Sequence, residues 1–201
     1  MNSQGRILMF FTIFLSLIIF QSLSPAKAQI TLDPSPSPAP DLYYPDASDN
    51  PSPLCKTICD KTSNPSFCMK TLMSDKRTSQ AKDVLSLAKI ALDLGSKDST
   101  RTRDQINSLI RGAKEPFKAA LKECVNQYSS TAGCFRSALA EVEQGDYKTA
   151  NYDVSVITDN TGLCMTAMAK AKARIASVSK AIQDTECFSN IGVVVTEILD
   201  K

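Results

Sequence analysis

The sequence predicts an all-α fold: an antiparallel up-and-down four-helix bundle preceded by a short disulfide-closed helical hairpin. Three observations carry this. Beyond residue 80, apolar residues recur at three- and four-residue spacing in four long segments, the period of a one-faced helix. Seven glycines and no tryptophan in 201 residues suit long helices better than a turn-rich sandwich or barrel. Seven cysteines and no histidine stand behind an N-terminal export pattern, the usage of a disulfide framework.

The chain opens on that pattern. Arg6 precedes an apolar stretch from Ile7 to Phe20, and Ala26-Lys27-Ala28 has the small-x-small form of a signal-peptidase site. Residues 1–28 therefore read as a signal peptide rather than a membrane anchor, which needs roughly 20 apolar residues. Cleavage removes Arg6 and Lys27 and no acid from a total of 23 basic and 21 acidic residues. The mature chain is then balanced in charge, which argues against nucleic acid or an anionic membrane as a bulk partner. Residues 29–53 read as a Pro/Ser-rich linker, because Pro34, Pro36, Pro38, Pro40, Pro45, Pro51 and Pro53 forbid a helix or interior strand. The Ser-Pro and Ala-Pro repeats also resemble hydroxyproline glycosylation sites of plant wall proteins.

The folded part is expected over residues 54–201. A short helical pair, about 54–60 and 66–74, is broken by the turn-forming Thr62-Ser63-Asn64-Pro65. The first long segment runs through Ala81, Val84, Leu85, Ala88, Ala91 and Leu92, then Ile106, Leu109 and Ile110, with a polar interruption expected near Gly95–Thr102. The second carries Phe117, Leu121, Cys124, Tyr128, Phe135, Ala138 and Val142, with Pro116 in its first turn and Gly145 just past its end. Asp146 can cap the third, which carries Tyr147, Ala150, Val154, Ile157, Cys164 and Met168. The fourth carries Ile175, Val178, Ile182, Phe188, Ile191, Val194 and Ile198. Short links between such helices imply antiparallel neighbours.

Folding the second and third segments back at Gly145 places Cys124, 21 residues before it, and Cys164, 19 after it, both about 30 Å from the turn. They face each other. Cys59 and Cys68 flank the Asn64-Pro65 turn, where a bridge closes the hairpin. Cys55, Cys134 and Cys187 remain, an odd set of free or extra-pair thiols; Cys134 faces no cysteine and reads as a small buried hydrophobe.

The residues offer little chemistry. Without histidine, Ser-His-Asp and Cys-His catalysis are absent, and there is no Cys-x2-Cys pair for zinc and no glycine-rich phosphate loop. No enzyme activity, metal or cofactor is expected. Glu141 and Glu143, or Asp153 and Asp159, are not spaced to lie side by side on a helix. Lys170, Lys172, Arg174 and Lys180 read as solvated helix surface.

Cys59-Asp-Lys-Thr62-Ser-Asn-Pro65-Ser-Phe-Cys68 resembles the opening C-x2-T-x2-P-x2-C motif of the plant invertase and pectin methylesterase inhibitor family. Leu121-Lys-Glu-Cys124-Val-Asn-Gln-Tyr128, Gly145-Asp-Tyr147 with Thr161-Gly-Leu-Cys164, and Ser189-Asn190-Ile191 with its following apolar run are similar to later segments of that family. The resemblance implies a bundle preceded by a protruding hairpin, with Cys59 paired to Cys68 and Cys124 to Cys164. It also implies a secreted, cell-wall (apoplastic) protein that is no enzyme itself. Such a protein inhibits pectin methylesterase by stoichiometric occlusion of the active-site cleft or, alternatively, inhibits an acid invertase. Invertase inhibitors often present Pro-Lys-Phe near the third helix, where this chain has Asp146-Tyr147-Lys148. A structural or lipid-binding wall protein is the further alternative, although the eight-cysteine pattern of plant lipid-transfer proteins is absent. The polar positions flanking the apolar stripes of the second and third helices give the expected interface: Lys122, Gln127, Ser130, Thr131, Tyr147, Lys148, Asn151, Ser155 and Asp159.

Overall fold

The computed structural model describes residues 52–201; the expected signal peptide over 1–28 and the Pro-rich segment through residue 51 lie outside the described residues. Six α-helices follow in order: α1 (Pro53–Cys59), α2 (Pro65–Met73), α3 (Val84–Leu109), α4 (Phe117–Gln144), α5 (Tyr147–Lys170) and α6 (Ala176–Leu199). A 3-10 turn, Lys76–Gln80, joins α2 to α3, and another, Ile110–Gly112, follows α3. Pro53 opens α1, where its missing N–H costs nothing, so the linker yields to helix at that residue.

The helices begin and end where side chains satisfy their free backbone groups. Asn64 caps α2 through Phe67 N (3.0 Å), and Asp83 caps α3 through Ser86 N (2.8 Å). At the end of α4, Gly145 takes φ 80°, which an L side chain adopts only with strain. Asp146 N then bonds back to Glu141 O at 2.9 Å and Gly145 N to Val142 O at 3.3 Å, a Schellman closure. Asp146 immediately caps α5, accepting from Thr149 N (3.2 Å) and Thr149 Oγ1 (2.7 Å). One short connection thus ends one long helix, starts the next and makes the two antiparallel neighbours.

The four long helices pack in the ring order α3, α4, α5, α6, with α6 closing against α3. Their core falls into two apolar clusters. One, toward the hairpin, gathers Leu87, Leu92, Phe135, Val142, Val154, Ile157 and Ile191. The other, at the far end, holds Ile106, Leu121, Tyr128, Met168, Val178 and Ile182. Buried Ser99, Thr131, Thr161, Thr185 and Ser189 supply polar groups within the bundle. Each hydroxyl needs a partner there. Ser99 Oγ donates to Gly95 O (2.8 Å) and Ser189 Oγ to Val154 O (2.7 Å). Thr185 Oγ1 donates to Ala181 O (2.8 Å), leaving the Tyr128 hydroxyl 3.3 Å away to donate to it. Burial pushes that phenol up to about 12. These pairings correct one expectation: Gly95–Thr102 does not interrupt the first segment. Ser96, Ser99 and Thr102 lie on the buried face of a continuous α3.

The hairpin docks on α6. Asn190 Oδ1 accepts from Ser63 N (2.7 Å) and Ser63 Oγ (3.0 Å), and Phe67 meets Phe188 edge to face at 5.3 Å. Arg77 fastens the following 3-10 turn, its guanidinium 2.6 Å from both Asp75 and Asp93.

Candidate functional site

Two disulfides hold the elements that matter. Cys59 and Cys68 join α1 to α2, and Cys124 and Cys164 join α4 to α5 with their Cα atoms 4.5 Å apart. The second bond sits among Leu121, Tyr128 and Met168. It fixes how far α4 and α5 slide past one another, and so the relative height of their outer faces. Cys55, Cys134 and Cys187 are free. Burial pushes all three thiols up, so they stand protonated near neutrality and are poor nucleophiles. Cys134 is half-buried and accepts from Asn160 Nδ2 at 3.9 Å, across the α4–α5 groove.

The expected interface residues do not all face outward. Lys122 and Ser130 on α4, and Lys148, Ser155 and Asp159 on α5, are exposed. The other four are less accessible: one is buried and three are half-buried. Thr131 is only 1 % exposed and belongs to the core, because it follows Tyr128 by three residues and shares its inward face. Tyr147 packs against the hairpin-side cluster. Gln127 is half-buried, its amide donating to Glu123 Oε1 at 2.6 Å. Asn151 ties α5 to α6: its Nδ2 donates to Val193 O (3.2 Å) and Thr196 Oγ1 (2.8 Å).

Sequence reasoning missed the apolar part of this face. Tyr152 is 68 % exposed, Leu163 51 % and Met165 54 %, and these large exposed hydrophobic residues among the described ones all lie on α5. Tyr152, Val156, Asp159 and Leu163 recur at four-, three- and four-residue steps, one line along the helix. The sequence does show this second line, out of phase with Ala150, Val154, Ile157 and Cys164, although it is apolar where a solvated face would be polar. Along it Tyr152 and Leu163 are exposed, Val156 is half-buried and Asp159 is an exposed acid. Tyrosine is among the residue types favoured at protein interfaces.

Beside this row the groove carries acid. Glu141 Oε2 is buried without a hydrogen-bond partner; burial pushes its carboxyl up, and the nearby Asp153 and Asp146 add to that. Among the described residues no group of three or more His, Cys, Asp or Glu side chains is placed to hold a metal, and no helix is long and apolar enough to cross a membrane.

Residues 53–193 match the family model of the plant invertase/pectin methylesterase inhibitor. Pectinesterase inhibitor 1 of Arabidopsis thaliana is 30% identical over 146 residues, 72% of this chain and 81% of its own length. A putative invertase inhibitor of Platanus acerifolia is 24% identical over 148 residues, 72% of this chain and 82% of its own. The crystal structure of mutant form A of a pectin methylesterase inhibitor from Arabidopsis superposes with a TM-score of 0.63 at 31% identity, covering 73% of this chain and 97% of that one. Cysteine pairs, helix order and matched span agree, and the chain belongs to the plant invertase/pectin methylesterase inhibitor family, a family of inhibitor proteins.

Proposed function

We propose that this chain is an extracellular inhibitor of pectin methylesterase that acts by stoichiometric occlusion. Residues 1–28 direct its export and are removed, and the Pro/Ser-rich residues that follow serve as a linker ahead of the helix that Pro53 opens. The outer face of α5, with the adjoining exposed positions of α4, covers the cleft that receives the pectin chain. The observation that carries this reading is the pair of large apolar side chains Tyr152 and Leu163 exposed on one line of α5, with half-buried Val156 between them and Lys148, Ser155 and Asp159 exposed on the same helix, in a chain whose relative at 30% identity is named a pectinesterase inhibitor. The apolar side chains supply contact energy, and the polar border sets orientation. Inhibition of an acid invertase is the second reading, favoured by the Platanus relative's name.

The test titrates the disulfide-bonded protein into pectin methylesterase and acid invertase assays side by side. Saturable loss of esterase activity near one-to-one stoichiometry, with invertase unaffected, is expected. Tyr152→Ala should weaken inhibition by about 2 kcal/mol, roughly thirtyfold, as a central aromatic anchor does. Gln105→Ala, on α3 across the bundle, should leave it unchanged. Loss of invertase activity alone moves the assignment to the second reading, and silence in both assays ends the inhibitor assignment.

A further inference from the structure

The end of the bundle away from the hairpin carries a charge concentration that the inhibitory face does not use. α3 ends and α4 begins there, and α5 ends and α6 begins there. Both junctions close over one apolar cluster, which takes in Ala113 and Phe117 from the first and Ala171, Ala173 and Ile175 from the second. The fold therefore brings together two basic segments that lie more than 50 residues apart in sequence: Arg111, Lys114 and Lys118 with Lys170, Lys172 and Arg174. Lys118 is half-exposed and the other five are exposed. None of the six is in an ion pair among the described residues. The one carboxylate within these segments, Glu115, is turned to the start of α4, where its Oε2 accepts from Ala119 N at 3.1 Å. Lys180, next along α6, is neutralised by Asp184 at 2.8 Å and drops out of the set. In a chain of nearly balanced charge, this is a localised positive end.

Lys172 sharpens the point. It sits at φ 53° just past α5, in a Schellman turn closed by Lys172 N to Ala169 O and Ala173 N to Met168 O, both 2.9 Å. Glycine fills the equivalent left-handed position after α4 and takes that geometry freely; a lysine there costs roughly 1 kcal/mol. The positive side chain stands where the backbone would prefer none.

We propose that this basic end is a docking surface for an acidic polysaccharide, a polyuronate with free carboxylates. Repeated carboxylates on an extended polymer match two groups of unpaired cations set on either side of one bundle end, and a methyl-esterified polymer offers no such charge. The choice of polymer rests on the proposed target: each ester that a pectin methylesterase hydrolyses frees one carboxylate on the chain, so the enzyme's product is such a polyanion. The surface would hold the inhibitor where de-esterification has already taken place, leaving the α5 face available to the enzyme.

The experiment measures retention of the full disulfide-bonded protein on immobilised polygalacturonate and on fully methyl-esterified pectin, without enzyme, at low and high NaCl. Binding to the free-carboxylate polymer alone, weakening on the order of tenfold or more with salt, is expected. Lys114→Glu/Lys172→Glu/Arg174→Glu should abolish it, whereas Lys61→Glu/Lys82→Glu, at the hairpin end, should change it less than about twofold. Lys172→Gly relieves the backbone and should raise thermal stability while still lowering retention, so its effect cannot come from unfolding. Equal retention of the triple variant, or equal binding of both polymers, overturns the proposal. Tighter binding to phosphatidylserine vesicles or to single-stranded DNA at the same salt also overturns it. Esterase inhibition by the triple variant is read separately and should be unchanged. Failure of inhibition therefore leaves the polymer result standing, and failure of polymer binding leaves the inhibitor reading standing.

Discussion

Gly95 lies in the middle of α3, where replacing glycine by alanine ordinarily stabilises a helix by about 0.8–1 kcal/mol. Here the opposite is expected. A Cβ on Gly95 would stand 2.6, 2.7 and 2.8 Å from Cε1, Cζ and Cδ1 of Phe135. That ring has no exposed surface and lies edge-on to Phe188 at 6.5 Å, so it has nowhere to go. Overpacking of this kind costs about 1–3 kcal/mol, and three ring atoms in simultaneous conflict place Gly95→Ala at the upper end. Subtracting the propensity gain leaves a net loss of about 1–2 kcal/mol. Gly133 on α4 is the control, since a Cβ there meets nothing within 4 Å. Gly133→Ala should gain up to about 1 kcal/mol, and the difference between the variants isolates the steric cost at about 2–3 kcal/mol. Urea unfolding of the oxidised protein, followed by far-UV circular dichroism, measures both. A Gly95→Ala protein as stable as the parent, or a destabilised Gly133→Ala, would refute the close packing of α3 on α4 from which this is argued.

The disulfides should differ in what they hold. Removing Cys124–Cys164, which spans 40 residues, as Cys124→Ser/Cys164→Ser should cost about 4 kcal/mol of global stability. Removing Cys59–Cys68, separated by nine, should cost nearer 3 and expose the hairpin to limited proteolysis while the bundle persists; uniform digestion of both regions would contradict this. Glu141 should make stability fall with rising pH. Its folded pKa is raised above the ordinary value, so the native state binds more protons than the unfolded chain, and stability drains away as pH climbs from the unfolded value through the folded one. Glu141→Gln should therefore match the parent near pH 3.5 and exceed it in thermal midpoint near pH 7, as the ordinary glutamate range dictates; a constant difference across that span would sink the argument.

The fold was legible because its determinants are local. Asp146 and Gly145 announce helix ends through their own side-chain and backbone chemistry, and the apolar period of α4 identifies its buried face from Phe117 to Val142. α3 was harder. Its buried face changes from apolar to hydroxyl at Ser96, Ser99 and Thr102, and a reading by hydropathy sees a break where the bundle has a polar layer. The site was less legible for the complementary reason. A residue such as Thr131 is polar by type but inward by phase, while Tyr152 and Leu163 are apolar by type but outward by phase. The phase of each is written in its spacing from the buried stripe, but residue type points the other way, and a reading by type places them on the wrong face. The basic end was hidden further still, since the segments carrying Arg111 and Lys172 come to one end of the bundle only when two separate junctions close over the same apolar cluster.

Asn151 shows how the interior sets the outer face. Chosen from sequence as a contact residue, it instead spends its amide on Val193 O and Thr196 Oγ1, one residue away from the exposed Tyr152. With Ser189 Oγ on Val154 O and the Cys124–Cys164 bond, it fixes the rotation of α5 about its own axis. Rotation matters because consecutive residues of a helix lie about 100° apart, so a small turn would carry Tyr152 and Leu163 toward a neighbouring helix. Asn151→Ala should therefore cost about 1–2 kcal/mol of stability through two lost, partly buried hydrogen bonds, and weaken inhibition with it. Tyr152→Ala should weaken inhibition with stability almost unchanged. Reading both quantities for both variants separates positioning from contact: if Asn151→Ala weakens inhibition at full stability, Asn151 touches the target after all, and the orientation of α5 has another source.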